Sequence, residues 1–234
     1  KPSTSWAYDA AGRRTSMTYP NGLVVNFAYD SYGRISGITS NLTGTSATIA
    51  NSFLYQPATG QRYAWRFGNG LPRMLTHDND GRLRQIATPG KHDLSFSYSV
   101  TDTVSSVTDN VYASQSANYA YDDADRLRTV GRTSDPQDFI WDDVGNRTSQ
   151  IRAGTGYTSS LAGDSNRLLT WSGGGKSRSF TYSPVGNVSG ETGSSGTRVY
   201  AYDNFNRMSS VSIDGAAVGD YRLNALNQRM LKIS

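Results

Sequence analysis

Large rings recur along this chain at intervals of 20 to 26 residues, and a second large residue usually stands two positions before each of them. Residues two apart in a strand point to one face of a sheet, so each pair predicts a β-strand with one apolar face. Apolar residues further along predict a returning strand with the same face. We name the later position of each pair the anchor, and it holds a ring in nine of the eleven copies. The anchor positions are Tyr8, Tyr29, Tyr55, His77, Tyr98, Tyr121, Trp141, Ala162, Tyr182, Tyr202 and Leu223.

A turn is predicted directly after every anchor. Asp follows the anchor in six copies, and its carboxylate can accept the backbone N–H two residues on in a type I turn. Four positions after the anchor, or five in the third copy, stands a residue that tolerates positive φ. Each copy therefore predicts a β-hairpin. These positions are Gly12, Gly33, Gly60, Gly81, Asp102, Asp125, Gly145, Asn166, Gly186, Asn206 and Asn227.

The repeat predicts an all-β fold, in which tandem hairpins form one continuous, coiled antiparallel sheet. No segment has the composition or the three-and-four spacing of a helix. Eleven hairpins require roughly 20 strands of ordinary length. Because the repeat resumes after the loop-like stretches 41–51 and 190–196, we predict a single domain over residues 1–234, and we interpret it as a fragment of a longer protein.

The amino-acid composition excludes several kinds of functional site. With 234 residues and 36% hydrophobic content the chain could bury a substantial core. Cysteine is absent, which excludes thiol catalysis, disulfides and thiolate metal sites. No run reaches the roughly 18 apolar residues of a membrane helix, and the first residues do not resemble a signal peptide. We therefore predict no membrane span and expect any export signal to lie outside this segment.

The net charge of +4 comes chiefly from arginines at the turns. We expect each guanidinium to bond turn carbonyls or to pair with the Asp of a neighbouring repeat. The alternative is a basic stripe interleaved with rings that holds single-stranded nucleic acid, which we disfavour because Asp in the same turns cancels most of the field. The arginines at the common register position are Arg13, Arg34, Arg82, Arg126, Arg167 and Arg207.

Candidate catalytic groups are few. His77 occupies an anchor position, which predicts a packed ring, and His92 follows a loop-forming Pro-Gly-Lys stretch. The paired carboxylates Asp122–Asp123 and Asp142–Asp143 belong to predicted turns. No Gly-x-Ser-x-Gly elbow or phosphate-binding glycine loop occurs. We therefore predict no catalytic residue, no cofactor-binding residue and no metal ligand, and hence a protein that is not an enzyme.

The repeats of the form Tyr-Asp-x-x-Gly-Arg-Leu, with intervening segments such as 19–23 (Tyr-Pro-Asn-Gly-Leu) and 67–71 (Phe-Gly-Asn-Gly-Leu), resemble the YD repeats of the Rhs family. That family includes shell components of bacterial insecticidal toxin complexes and the teneurins. The resemblance covers essentially the whole chain, although Thr103 replaces Arg in the fifth copy. The motif residues are Tyr8, Asp9, Gly12, Arg13, Tyr29, Asp30, Gly33, Arg34, Asp78, Gly81, Arg82, Tyr121, Asp122, Arg126, Trp141, Asp142, Gly145, Tyr202, Asp203 and Arg207.

The resemblance implies a hairpin-by-hairpin spiral that closes into a hollow shell. In bacterial relatives such a shell encloses a C-terminal toxin polypeptide until delivery, so the expected function is that of a non-catalytic shell wall, secreted or at the cell surface. The relatives' self-cleaving core contains Asp-Pro-x-Gly elements. Asp135-Pro136 is followed here by Gln137 and Asp138, so we assign no autoproteolytic residue.

The eukaryotic relatives imply an alternative function, a cell-surface adhesion or carbohydrate-binding repeat module with a glycan or protein ligand. Such a module needs aromatic side chains on the face opposite the anchors. The candidates outside the main register are Tyr32, Tyr63, Trp65, Tyr112 and Tyr157.

Overall fold

The computed structural model describes residues 3–233 and has 22 β-strands and a single 3-10 turn, Ala113–Gln115. No α-helix occurs among these residues, so the all-β prediction is confirmed. The strands are β1 Ser5–Tyr8, β2 Arg14–Thr18, β3 Val24–Tyr29, β4 Ile35–Ser40, β5 Ala47–Tyr55, β6 Arg62–Phe67, β7 Pro72–His77, β8 Leu83–Thr88, β9 His92–Tyr98, β10 Val104–Asp109, β11 Ala117–Tyr121, β12 Leu127–Gly131, β13 Gln137–Trp141, β14 Arg147–Arg152, β15 Thr155–Leu161, β16 Leu168–Gly173, β17 Lys176–Tyr182, β18 Val188–Gly193, β19 Gly196–Tyr202, β20 Met208–Ile213, β21 Ala216–Leu223 and β22 Arg229–Ile233.

Residue contacts divide the chain after Asn118 into two compact units. In the first unit every strand from β1 to β10 pairs antiparallel with the next one. In the second unit the same holds from β12 to β22. The predicted tandem antiparallel hairpins are thus confirmed. That residues 1–234 form a single domain stays a prediction.

The predicted turns form with the predicted backbone. Ten of the eleven turn positions have positive φ, from 54° at Asp125 to 92° at Gly186. The extra residue that each left-handed position adds shifts the strand register at the anchor. In the second hairpin, for example, Ala28 pairs with Gly37, whereas Tyr29 pairs with Ile35. This shift is a β-bulge, and it turns the anchor ring towards the neighbouring hairpin.

The eighth copy departs from the predicted register by one residue. Its strand β15 ends at Leu161, the place that the anchor takes in every other copy, and Ala162 takes the place of the turn Asp. The backbone N–H of Ala162 reaches the carbonyl of Arg167 across a loop one residue longer than in most copies. Asn166 does not belong to the described residues with positive φ. The predicted anchor Ala162 is therefore wrong: the anchor is Leu161, because the additional loop residue shifted the predicted position by one.

The chain does not build the substantial core that its composition would allow. Among the described residues, Ala50 and Ala117 are the only buried apolar residues. In β3, Phe27 and Tyr29 are half-buried whereas Asn26 and Ala28 are exposed. Each described strand packs mainly against its sequence neighbours. The rings are therefore covered from the sides by adjacent strands, and the alternation along each strand separates a ring-bearing face from a polar face.

Candidate functional site

The turn after the anchor is a repeated structural site built around one carboxylate. In the first copy, Asp9 Oδ1 accepts the backbone N–H groups of Ala11 and Arg13 at 3.0 and 2.9 Å. Its Oδ2 accepts the Nε–H of Arg13 at 2.7 Å. The carboxylate thus holds both the turn backbone and the guanidinium. The same three bonds recur in four other copies, at Asp30, Asp78, Asp122 and Asp203.

These bonds stabilise the ionised carboxylate. The backbone N–H of Arg13 lowers the pKa of Asp9, and the Arg13 side chain adds to the effect. The Arg207 side chain is the main cause of the lowered pKa of Asp203. A carboxylate that accepts hydrogen bonds in its charged form is harder to protonate. The turns therefore contain ionised Asp–Arg pairs at neutral pH.

Each turn arginine also reaches forward to the next repeat. The Arg13 guanidinium lies 4.7 Å from the ring centroid of Tyr29, which is the next anchor. The equivalent distances are 4.5 Å from Arg34 to Tyr55 and 4.8 Å from Arg82 to Tyr98. A cation over a ring face is attracted by the ring quadrupole. The arginine therefore joins its own turn to the neighbouring anchor.

Hydrogen bonds from the terminal guanidinium nitrogens make a second forward contact. Arg126 Nη1 donates to the carbonyl of Asp142 at 2.6 Å, and Arg207 Nη1 donates to the carbonyl of Asn224 at 3.0 Å. Arg82 donates to the Asp102 carboxylate in the next turn. The expected bonds to turn carbonyls are thus present. The main carboxylate partner, however, belongs to the arginine's own turn rather than to the neighbouring repeat.

The side-chain donors of the anchors form hydrogen bonds to the preceding hairpin, whereas the turn arginines contact the following one. The Tyr29 hydroxyl donates to the carbonyl of Arg14 at 2.7 Å, and the Tyr55 hydroxyl donates to that of Ile35 at 2.7 Å. Both acceptors begin the second strand of the preceding hairpin. The same bond recurs from Tyr98 to Leu83, Trp141 to Leu127, Tyr182 to Leu168 and Tyr202 to Val188. Sequence reasoning foresaw the rings but not these acceptors, although the preference for Tyr and Trp over Phe at the anchor was a signal.

In two motif copies, neighbouring turns are joined through side chains other than Arg and Tyr. In the seventh copy, Asn146 replaces Arg, and its Nδ2 donates to Asp142 Oδ2 at 2.9 Å and to Asn166 Oδ1 at 3.1 Å. In the fourth copy, the His77 ring hydrogen-bonds through Nδ1 to the Gln56 side chain at 3.0 Å. His77 lies at the end of β7, in the anchor position. Neighbouring turns are thus joined even where the motif is degenerate.

The remaining motif residues lie in the same turns. Gly12, Gly33, Gly81 and Gly145 have positive φ. Tyr8 and Tyr121 end β1 and β11, and burial raises the pKa of Tyr121. The structure therefore brings the motif residues together within each turn and towards the next one. Among the described residues, no group of three or more His, Asp or Glu side chains is arranged to hold a metal ion. None of the helical segments described is long and apolar enough to cross a bilayer.

The aromatic residues outside the main register separate into two kinds. Trp65 stacks on Phe53 with ring centroids 6.1 Å apart, and Tyr157 stacks on Trp171 at 5.2 Å. Tyr63 is half-buried in β6. Tyr32 and Tyr112 are 81% and 62% exposed. The stacked rings extend the packed face, and the two exposed tyrosines belong to separate loops.

One buried charge was missed by the sequence analysis. Glu191 is 7% exposed and lies at the position that five other copies fill with Ile or Val, namely Ile38, Ile86, Val107, Val130 and Val211. Its Oε1 accepts Arg198 Nη1–H at 3.2 Å, its Oε2 accepts the Tyr200 hydroxyl at 3.0 Å, and Arg178 Nε lies 3.4 Å from Oε1. Burial, followed by the bond to Glu191, raises the pKa of Tyr200. Because a buried charge persists only when paired, this cluster is a local structural element of the second unit.

A sequence model described as RHS repeat matches residues 2–24 and 8–45. No curated protein matches the chain. Among solved structures, the crystal structure of TcdB2-TccC3 without its hypervariable C-terminal region is similar, with TM-score 0.63 and 19% identity over 99% of this chain and 13% of that one. The TcdB2-TccC3-Cdc42 crystal structure gives 0.64 and 18%, with the same coverage.

The Photorhabdus luminescens Tc holotoxin pore with a mutated TccC3 is similar at TM-score 0.55 and 18% identity, again over 99% of this chain and 13% of the matched chain. The chain thus spans about an eighth of the length of the structures it matches. At such identity the likeness concerns the fold, and the repeat match concerns the residues that carry the motif. The predicted resemblance to the Rhs, or YD-repeat, family is confirmed by the repeat match over residues 2–45, and the predicted resemblance to components of toxin complexes is confirmed as a likeness of fold over 99% of the chain.

Proposed function

We propose that the chain is a non-catalytic wall segment of a shell that encloses a toxin polypeptide until delivery. One observation carries the proposal: the turns at Asp30 and Asp203 are joined to their neighbours in both directions, forward through arginine and backward through the anchor hydroxyl. A wall must resist local opening more than it must bind anything. The repeat supplies this resistance without a buried core.

The ties suit a wall because they act between nearest neighbours. In repeat proteins, stability is approximately the sum of the stability of each repeat and of its contacts with adjacent repeats. Each anchor hydroxyl bond contributes about 0.5 to 1.5 kcal/mol net. An anchor bond to the preceding hairpin is present at six of the interfaces between described hairpins, and it makes those hairpins difficult to open without their neighbours. Such cooperation limits the transient gaps through which a protease could reach an enclosed chain.

The similar structures support the proposal through their fold. They contain TcdB2 and TccC3, and this chain matches 13% of the length of the crystal structure without the hypervariable region. A shell built from many such hairpins would leave few strand edges exposed. The enclosed toxin polypeptide is then the expected partner, and secretion or display at the cell surface is the expected location. The adhesion and carbohydrate-binding alternative has no comparable support, since the exposed Tyr32 and Tyr112 form no shared platform.

Limited proteolysis of the full natural polypeptide that contains these repeats tests the proposal. We expect a segment outside the repeats to resist a non-specific protease at neutral pH, and to be cleaved rapidly once the wall is loosened. Intact-mass spectrometry over time identifies the protected segment. The wall variant is Asp30→Ala, which removes the carboxylate from one turn, and the control is Tyr32→Phe in the same turn.

Protection that falls in Asp30→Ala and persists in Tyr32→Phe would support enclosure. The wall proposal is wrong if no segment of the wild-type protein is protected. It is also wrong if the segment is equally protected in both variants while hydrogen exchange shows that Asp30→Ala has loosened the turn.

A further inference from the structure

A groove of about 530 Å³ lies in the first unit at the edge opposite the anchor turns. Its apolar wall consists of Ile49, Phe67 and Leu71, and its polar side includes Arg73, Thr88, Lys91 and His92. No carboxylate side chain is among the residues that line it. The groove therefore combines positive charge with an apolar surface, on residues that lie outside the anchor turns.

The groove is shaped by a turn that packs closely onto a strand. The N–H of Gly68 donates to the carbonyl of Ile49 at 2.8 Å. A Cβ added to Gly68 would lie 1.8 Å from the carbonyl oxygen of Thr48. Only glycine permits this approach, which holds Phe67 and Leu71 beside β5. The apolar wall is thus fixed in place by the backbone.

Two buried donors in the groove have no partner among the described residues. Thr88 is 4% exposed, and its Oγ1 makes no hydrogen bond. The Nε–H of Arg73 is buried and unpartnered as well. At the equivalent position of β4, Ser40 Oγ accepts the N–H of Leu42 at 3.1 Å. The unpartnered hydroxyl is therefore a property of this groove rather than of the repeat.

The remaining contacts of Arg73 hold its guanidinium in place. Its Nη1 lies 2.8 Å from His92 Nδ1, and because a guanidinium can only donate, the ring nitrogen is the acceptor. Its Cζ lies 5.6 Å from the Phe67 ring centroid. Thr88 and His92 are directly paired across β8 and β9. Two buried donors and a fixed cation on one side of a groove are suited to an acceptor that carries negative charge.

We propose that this groove binds the oxyanion of a small organic anion, a carboxylate or a phosphate monoester, whose apolar part lies against Phe67, Ile49 and Leu71. Arg73 Nε and Thr88 Oγ1 donate to the anion, and Lys91 adds long-range attraction. This inference does not depend on the wall function, because the groove uses none of the contacts between turns.

Isothermal titration of the full-length protein with benzoate, phenyl phosphate and inorganic phosphate tests the proposal. We expect saturable binding of an aromatic anion, and weaker binding of inorganic phosphate, which lacks the apolar part. The tighter of benzoate and phenyl phosphate identifies the preferred oxyanion. Since a hydrogen bond to a charged group is typically equivalent to about a tenfold change in affinity, Arg73→Gln should weaken binding about tenfold or more.

Thr88→Val keeps the shape of the side chain and should weaken binding about fivefold, even if Arg73→Gln perturbs the fold. Arg147→Gln is the matched control, because Arg147 also lies 5.6 Å from a ring, that of Phe139, in the second unit. Binding should persist in this control. The proposal is overturned if none of the three anions binds saturably, if benzylamine binds as tightly as benzoate, if inorganic phosphate equals phenyl phosphate, or if all three variants bind like wild type.

Discussion

Removing one anchor hydroxyl isolates the backward tie between hairpins. In Tyr55→Phe the ring remains in place beneath the Arg34 guanidinium, 4.5 Å away, and only the 2.7 Å bond to the carbonyl of Ile35 is lost. A neutral hydrogen bond contributes about 0.5 to 1.5 kcal/mol net. The half-open face lets water reach the released carbonyl, so we expect a loss of about 1 kcal/mol in the free energy of unfolding. In a chain of this size, such a loss lowers Tm by about 2 to 4 °C.

Hydrogen exchange measures the same loss locally. A change of about 1 kcal/mol in local opening should raise the exchange rates of protected amides in β4 and β5 about fivefold. Amides in the second unit should be unaffected, because the tie acts between neighbours. Comparing Tm with local exchange also shows whether the hairpins unfold together.

Tyr32→Phe is the matched control, since it removes a hydroxyl from a turn residue that is 81% exposed. It should change neither Tm nor exchange. The reasoning is refuted if Tyr55→Phe and Tyr32→Phe have the same protection in β4 and β5, or if the effect of Tyr55→Phe is spread evenly over all strands.

Three further predictions concern the turns. Gly81 has φ +81° with free space around an added Cβ, so Gly81→Ala should lower the free energy of unfolding by about 1 to 2 kcal/mol through backbone strain alone. Ala153 has φ 46°, so Ala153→Gly should raise the free energy of unfolding by about 0.5 to 1 kcal/mol. Urea unfolding measures both changes, and equal effects of the two substitutions would contradict the strain argument. Bonds from Arg207 lower the pKa of Asp203 below the ordinary 3.8, so the ionised carboxylate stabilises the fold above that pH, and this stabilisation is lost as the pH falls through the folded-state pKa. Between about pH 6 and pH 2.5, the Tm of Asp203→Asn should therefore fall less steeply than the Tm of the wild-type protein. An identical slope would refute the role of the carboxylate. Gly68→Ala places a Cβ 1.8 Å from the Thr48 carbonyl oxygen and should lower the free energy of unfolding, measured in urea, by more than about 3 kcal/mol. A loss below about 1 kcal/mol would show that the turn does not approach the strand so closely.

The local features of the turns were predictable because they depend on a few adjacent residues. An Asp after the anchor and a left-handed residue three positions later specify one turn whatever surrounds it. Repetition then made the register reliable, since eleven copies are averaged. The prediction was wrong at Leu161, where a single additional residue in the loop moved the register and no other copy of the pattern could correct it.

Contacts between hairpins were less predictable. That Arg13 would bond its own Asp9 while lying over Tyr29 depends on the distance between neighbouring hairpins, which sequence spacing does not give. Glu191 shows the same limit in another way. The sequence pattern does not indicate whether this carboxylate is buried, and the positions of Arg178 and Arg198 on the flanking strands explain why it is.

The sequence by itself determined the all-β class, the hairpin period, the turn geometry and the face on which the rings lie, because these follow from local backbone preference and two-residue alternation. The tertiary structure alone decided how little is buried, which carbonyl each anchor reaches, and that Arg73, Thr88 and His92 meet beside Phe67 in one groove. Those facts depend on how separate strands are aligned side by side. Cross-strand register is set by bulges and loop lengths, so residues about twenty positions apart become neighbours only once the ladder has formed.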